Sequence, residues 1–133
     1  MKRDSEWLTR TRTFVTGATR DTDVGKLDWE GFISPLVMKQ FALYMDHHRI
    51  QSDGSLRKGD NWQKGFPRNQ IMKSLIRHMW DLWIQWRTRI PNEERFVELL
   101  CAILFNVQAM LLELILERDI EDIEAEDDRS KTA

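Results

Sequence analysis

The stretch LLCAILFNVQAMLLELIL, residues 99–116, constrains the fold more than any other part of the chain. At about 100° per residue its apolar side chains cover nearly the whole circumference of a helix, the pattern of a central helix with neighbours on several sides. The helix is predicted to begin near Asn92, a candidate cap followed by Glu93 and Glu94, and to continue through Glu121. Its polar residues are selective: Glu98, Asn106 and Glu113 fall within an arc of roughly 80°, with Ala102 and Ala109 between them. Small residues there let a neighbouring helix or a ligand approach closely, and a buried polar group left unpaired is costly. The arc reads two ways, as one wall of a site through Glu98 and Asn106 or as a hydrogen-bond network between helices.

Two other segments have helical spacing. Ser34 and Pro35 supply a candidate cap and first position for a helix through LVMKQFALYMDHHR, with Leu36, Phe41, Ala42 and Met45 on its apolar side. A second covers NQIMKSLIRHMWDLWIQWRT, and Pro91 is expected to close it by disfavouring the helical conformation in the residue before it. On this helix Ile71, Leu75, Met79, Leu82, Trp83 and Trp86 fill one broad arc, while Ser74, His78, Asp81 and Gln85 form a polar stripe at its edge. Trp80, Trp83, Trp86 and Ile84 carry apolar character further round than a peripheral helix in a small monomer needs. That predicts either an oversized core or a homo-oligomer, and a homo-oligomer covering part of Trp80, Trp83 and Ile84 is the expectation. No strand alternation stands out. The fold is therefore predicted to be all-α, a small domain of about three main helices with a long irregular N-terminal arm. Residues 1–119 are expected to form that domain. Residues 120–133 read as a flexible acidic tail, in which Ile120 and Ile123 offer little apolar surface to offset ordering.

At 133 residues, one compact domain with a real core is the natural size. No uninterrupted apolar run approaches the roughly 20 residues of a membrane span, and the start MKRDSEWLTRTRTF lacks a secretory h-region. A lone cysteine, Cys101, forms no internal disulfide, which fits a reducing cytoplasm. Residues 117–133 hold eight of the 22 acids and three of the 20 bases, leaving 17 bases and 14 acids in residues 1–116. The body is thus only slightly basic, without the dense Lys/Arg stripe that marks nucleic-acid binding.

His78 and Asp81, three apart on one helix, share a side and suit either a structural hydrogen bond or a common divalent cation, with Glu98 of the next helix as a third ligand if the faces meet. Asp46, His47 and His48 close the first helix and are candidates to join that cluster, although a helix C-terminus favours histidine by its dipole. TGATRDTDVGK matches neither GxxxxGK[ST] nor GxGxxG; it reads as an extended arm over the core or as a phosphate site through Arg20 and Lys26 among its glycines. QSDGSLRKGDNW lacks EF-hand spacing, and no CxxC or HExxH occurs. DNWQKGF, residues 60–66, places Trp62 among Asp60, Asn61, Gln63 and Lys64, the composition of a lid or wall over a ligand.

FVTGATRDTDVGKLDWEGFISPLV, QSDGSLRKGDNWQKGFP, KSLIRHMWDLW and ELLCAILFNVQAML, in that order, resemble the phage and bacterial family of the dATP/dGTP diphosphohydrolase N-terminal domain, over roughly residues 14–113. By this resemblance Arg20, Lys26, Asp28, Asp60, Asn61, Trp62, Lys64, His78, Asp81, Glu98 and Asn106 occupy motif positions. More distantly the chain looks like an all-α (MazG-like) nucleoside triphosphate pyrophosphohydrolase, although ExxE and ExxD occur only in the acidic tail and the core offers HxxD at His78 and Asp81. The resemblance implies Mg2+-dependent hydrolysis of purine (deoxy)nucleoside triphosphates to monophosphate and pyrophosphate, in a bacterial host cytoplasm if the chain is phage-encoded. Asp81, Glu98 and His78 would be catalytic groups and metal ligands. Arg20, Lys26, Asp60, Asn61, Trp62, Lys64, Arg77 and Asn106 would bind substrate. The competing expectation is a non-catalytic module that binds a nucleotide or a protein.

Overall fold

The computed structural model describes residues 11–132, with the side chains of residues 118–123, 130 and 132 outside the description. The chain is mostly helical, as its periodicity predicts, with three main helices. It divides into two compact units, residues 1–36 and 37–133.

The first unit holds two strands, β1 (Thr11–Thr13) and β2 (Thr19–Asp21), and one short helix, α1 (Trp29–Phe32). The strands pair antiparallel, Arg12 opposite Arg20. They correct the expectation of no strand: three exposed residues apiece are too short to show an apolar alternation. The turn between them closes through Phe14 N–H to Ala18 O and Gly17 N–H to Phe14 O, both 2.9 Å, with Gly17 at a φ of 87° that suits glycine. Asp28, one of the family-motif positions, caps α1 by accepting from Gly31 N–H at 2.9 Å.

The second unit contains α2 (Pro35–His47) from Val37 onward, a 3-10 turn (Asn61–Lys64), α3 (Arg68–Arg87) and α4 (Glu93–Thr132). Pro35 occupies the first position of α2, as predicted. α3 ends at Arg87, three residues before Ile90, and the local cause is a Schellman closure rather than Pro91 alone. Ile90 N–H reaches Gln85 O at 2.7 Å and Arg89 N–H reaches Trp86 O at 3.1 Å, with Arg89 at a φ of 65°. Asn92 then starts α4 as predicted, its side-chain oxygen accepting from Arg95 N–H at 3.0 Å.

α3 and α4 form an antiparallel hairpin. Arg68 meets Glu113 and Glu117 at one end, Ser74 meets Asn106 in the middle, and Asp81 meets Arg95 at the other. Its core among the described residues is small: Ile71 on α3 with Leu99, Cys101, Ala102 and Ala109 on α4, joined by the buried Asn106. The small side chains at 102 and 109 let α3 come close. On another side of α4, Phe105 takes the rings of Trp62 and Phe66 edge-on, at 6.1 and 6.2 Å between centroids. α4 is long and apolar enough over Glu93–Glu117 to cross a bilayer, because Asn106, Gln108 and Glu113 dilute its apolar run without breaking it. Past that span the helix continues to Thr132, with residues 124–129 exposed and Lys131 pairing with Asp127 one turn back at 2.7 Å.

Candidate functional site

Between the C-terminus of α2 and the 3-10 turn, residues 49–57 fold back on themselves around Asp53 and Gly54. Ile50 bridges Leu56, Arg57 N–H reaches Arg49 O at 2.8 Å, and Gly54 takes a φ of 86°. An Asp-Gly turn therefore sets two arginines side by side. Arg49 Nε donates to Arg57 O at 2.7 Å and its Nη1 to Asp46 at 3.1 Å; Arg57 Nη1 donates to His48 O at 3.3 Å. These bonds fix the guanidinium planes while using only part of each five-donor fork.

The two arginines and Lys58 line a pocket of about 210 Å3 whose walls include Tyr44, Trp62, Phe66 and Phe105, with Asn61 and His48 as further polar groups. No carboxylate is among its described lining residues, although Asp46 just outside it pairs with Arg49. A second, larger groove of about 470 Å3 runs along the other side of Trp62, past Lys64 and Arg68 to Glu113 and Glu117. There Arg68 is already engaged by both acids, whose pull raises the guanidinium's pKa. Acid-lined and with its arginine neutralised, that groove suits an anion poorly.

Beside the smaller pocket lies a chain of charges across the helices. Arg95 sits 3.9 Å from Asp81 and 3.5 Å from Glu98, and Glu98 lies 3.9 Å from His48 Nε2. Tyr44 stacks on His48 at 4.2 Å between centroids, and burial, then Glu98, raises its phenol pKa. Burial lowers the His48 pKa below the ordinary 6.5 although Glu98 pulls it up, while burial, then Arg95 and Arg77, lowers that of His78. Nδ1 of His78 is buried without a hydrogen-bond partner.

Both imidazoles therefore bind protons less well folded than unfolded. Their contribution to stability is complete above about 6.5, the unfolded value, and is lost as pH falls through the lowered folded values. The melting temperature is expected to decline between pH 7 and pH 5, by a modest amount because both histidines are partly solvated. His78→Gln should flatten that decline. Thermal melts across this range check it, and an identical slope in the variant would assign the decline elsewhere.

The residues singled out by sequence are thus distributed. Asn61 and Trp62 line the smaller pocket, Asp81, Glu98 and His78 lie in or beside the Arg95 chain, and Lys64 faces the larger groove. Asp60 precedes the 3-10 turn, without a side-chain capping bond. Asn106 is buried in the α3–α4 seam, donating to Ala102 O of its own helix at 2.9 Å and, at a long 3.5 Å, to Ser74 Oγ across the seam. Arg20 and Lys26 belong to the first unit, and Arg77 stands on the exposed side of α3. Burial raises the pKa of Cys101, so it stays a thiol packed in the core. Sequence reasoning missed Tyr44, Arg49, Arg57, Lys58 and Phe105. The Asp-Gly turn flanked by Arg49 and Arg57 was the available signal for the cations. Comparison with protein families, curated proteins and solved structures gave no match.

Proposed function

We propose that the domain binds a purine (deoxy)nucleoside triphosphate in the smaller pocket. One observation carries this reading: Arg49, Arg57 and Lys58 converge at an aromatic-walled cavity that no acid lines. Aromatic faces stack on a planar base, and partly free guanidinium forks grip phosphate oxygens in pairs. A cavity of about 210 Å3 is smaller than the roughly 300–1,000 Å3 that encloses a whole ligand, so the base enters and the phosphates lie on the cationic rim.

Magnesium fits the present arrangement less well. It needs carboxylate oxygens free to face it, yet Asp81 and Glu98 both face Arg95. Among the described residues no three His, Cys, Asp or Glu side chains gather as a ligand group. A guanidinium stands between the two carboxylates. Mg2+-dependent release of pyrophosphate is the second reading, favoured by the unpartnered, buried His78 Nδ1 beside these acids. It requires Arg95 to release both of them.

Calorimetric titration with dGTP and dATP, with and without Mg2+, tests the binding. Saturable binding of either is expected, and the double variant Arg57→Ala/Lys58→Ala should weaken it at least about tenfold, since one charge-assisted bond is worth roughly 1.5–3 kcal/mol and about 1.4 kcal/mol is a decade. Absent binding, or full affinity in the variant, would overturn the proposal. Anion-exchange chromatography of the same mixtures decides the second reading. Pyrophosphate that appears with wild type and not with Glu98→Gln would establish it.

A further inference from the structure

α3 and α4 meet along one mixed stripe each, partly polar, and each carries a second stripe that is wholly apolar. On α3 the side turned to α4 is Ile71, Ser74, His78, Leu82 and Gln85, all buried or half-buried. A second set, Met72, Ile76, Met79, Trp83 and Trp86, alternates steps of four and three residues, and all five are exposed, from 45% at Met72 to 65% at Trp86. On α4 the stripe facing α3 is Leu99, Ala102, Asn106, Ala109 and Glu113. A second stripe, Phe96, Leu100, Ile103, Val107, Met110 and Leu114, keeps the alternation for six successive positions without a polar residue. Leu100 and Val107 in it are exposed, as is Leu111 beside it.

The angles between the stripes say what they fit. At about 100° per residue the second stripe is centred about 120° from the first on α3 and about 100° from the first on α4. Antiparallel packing reverses the sense of rotation, so both second stripes emerge on the same side of the hairpin, away from Phe105 and its aromatic partners. Two contact lines about 100–120° apart on each of two antiparallel helices are the geometry of half a four-helix bundle. The missing half is a surface with the same two stripes, and this chain supplies it.

We infer that two copies pack α3 and α4 face to face about a two-fold axis, making an antiparallel four-helix bundle. Recovering on the order of 100 Å2 from each of the half-exposed side chains gives about 800 Å2 per copy, the share each partner brings to a standard stable interface. A bilayer would take an apolar α4 too, but it would not select a heptad alternation on both helices. The pocket at Arg49 and Arg57 lies on the covered side of α4, so the dimer and the nucleotide site stand or fall separately.

Multi-angle light scattering at tens of micromolar should give twice the 15.9 kDa chain mass. Met79→Glu and Val107→Glu, each placing a charge in the second stripe, should give the monomer mass while keeping the helical circular dichroism. Trp80→Glu tests specificity: Trp80 is 60% exposed but lies outside the stripe, so its variant should remain dimeric. Should the glutamate variants fail to fold, the wild-type melting temperature decides, because a dimer's rises with protein concentration. A wild-type monomer with a concentration-independent melt, co-flotation of the monomer with phosphatidylcholine vesicles, or a dimer broken by Trp80→Glu and left intact by Met79→Glu would each overturn the inference.

Discussion

Leu99→Ala is expected to lower the unfolding free energy by about 3–4 kcal/mol, and the melting temperature by about 10 °C or more, at fixed protein concentration. Leu99 is the one large side chain with no exposed surface among the described residues. Its buried companions are small or lie elsewhere along the seam: Ala102 and Ala109 have little to lose, Cys101 is compact, and Ile71 stands near the far end of the hairpin. Truncation at position 99 removes the transfer free energy of the side chain and opens a cavity between helices already in close contact through alanines, which limits collapse around it. Since whole domains are stable by only about 5–15 kcal/mol, this is a large share. Leu43→Ala, on α2 where the side chain is 56% exposed, should cost under about 1 kcal/mol. Chemical denaturation of both variants checks the contrast, and equal losses would mean that the seam is not where the fold's stability resides.

The helices were legible because their signals are local. Pro35 opens α2, Asn92 caps α4, and the wheel of residues 99–116 announced a helix with several neighbours. What failed was either short or non-local. A three-residue strand has no period to read, so β1 and β2 escaped notice. α3 stopped at a closure in which Arg89 adopts a left-handed backbone that sequence statistics assign to glycine or asparagine. The surplus of apolar residues on α3 was visible, and Trp80, Trp83, Ile84 and Trp86 are all exposed as part of it. Trp80 and Ile84 fall outside the heptad line that Met72, Ile76, Met79, Trp83 and Trp86 trace, and the matching line on α4 was hidden in a helix that looked apolar everywhere.

The site was legible only in part for a related reason. Sequence spacing put His78 and Asp81 on one side of α3 and named Glu98 as their partner across the hairpin. It did not anticipate that Arg95, three residues before Glu98, would reach both acids. Helical spacing places His78, Asp81 and Glu98 but does not weigh an arginine one turn away that reaches across to both carboxylates. Similarly, the cations expected to hold phosphate were Arg20, Lys26, Lys64 and Arg77, whereas those at the aromatic cavity come from a hairpin whose pairing brings Arg49 beside Arg57.

Asn106→Asp is expected to produce a stability loss that depends on pH, near 3 kcal/mol at pH 8 and about 1 kcal/mol near pH 4, relative to wild type at the same pH. The amide at this position is only 3% exposed and donates to Ala102 O at 2.9 Å. An ionised aspartate has no proton to donate, so two oxygen acceptors would face each other in the seam. Only the hydroxyl of Ser74, now 3.5 Å away, is placed to turn and compensate in part. Glu113, the next polar position of the stripe, adds an acid, and its neighbour Arg68 is held between Glu113 and Glu117. Burial without a cation thus raises the folded pKa of the introduced carboxyl above the unfolded value of about 3.9. With that sign, the variant keeps its stability below the unfolded pKa, where the protonated group can still donate to Ala102 O, and loses it as pH rises through the folded pKa. Referencing each point to wild type removes the histidine contribution, which runs the other way. Urea denaturation of both proteins at pH 4, 6 and 8 provides the measurement. A gap that stays constant with pH would show that position 106 reaches water or a cation, and so that the amide is not the sealed hydrogen bond to Ala102 O that its burial describes.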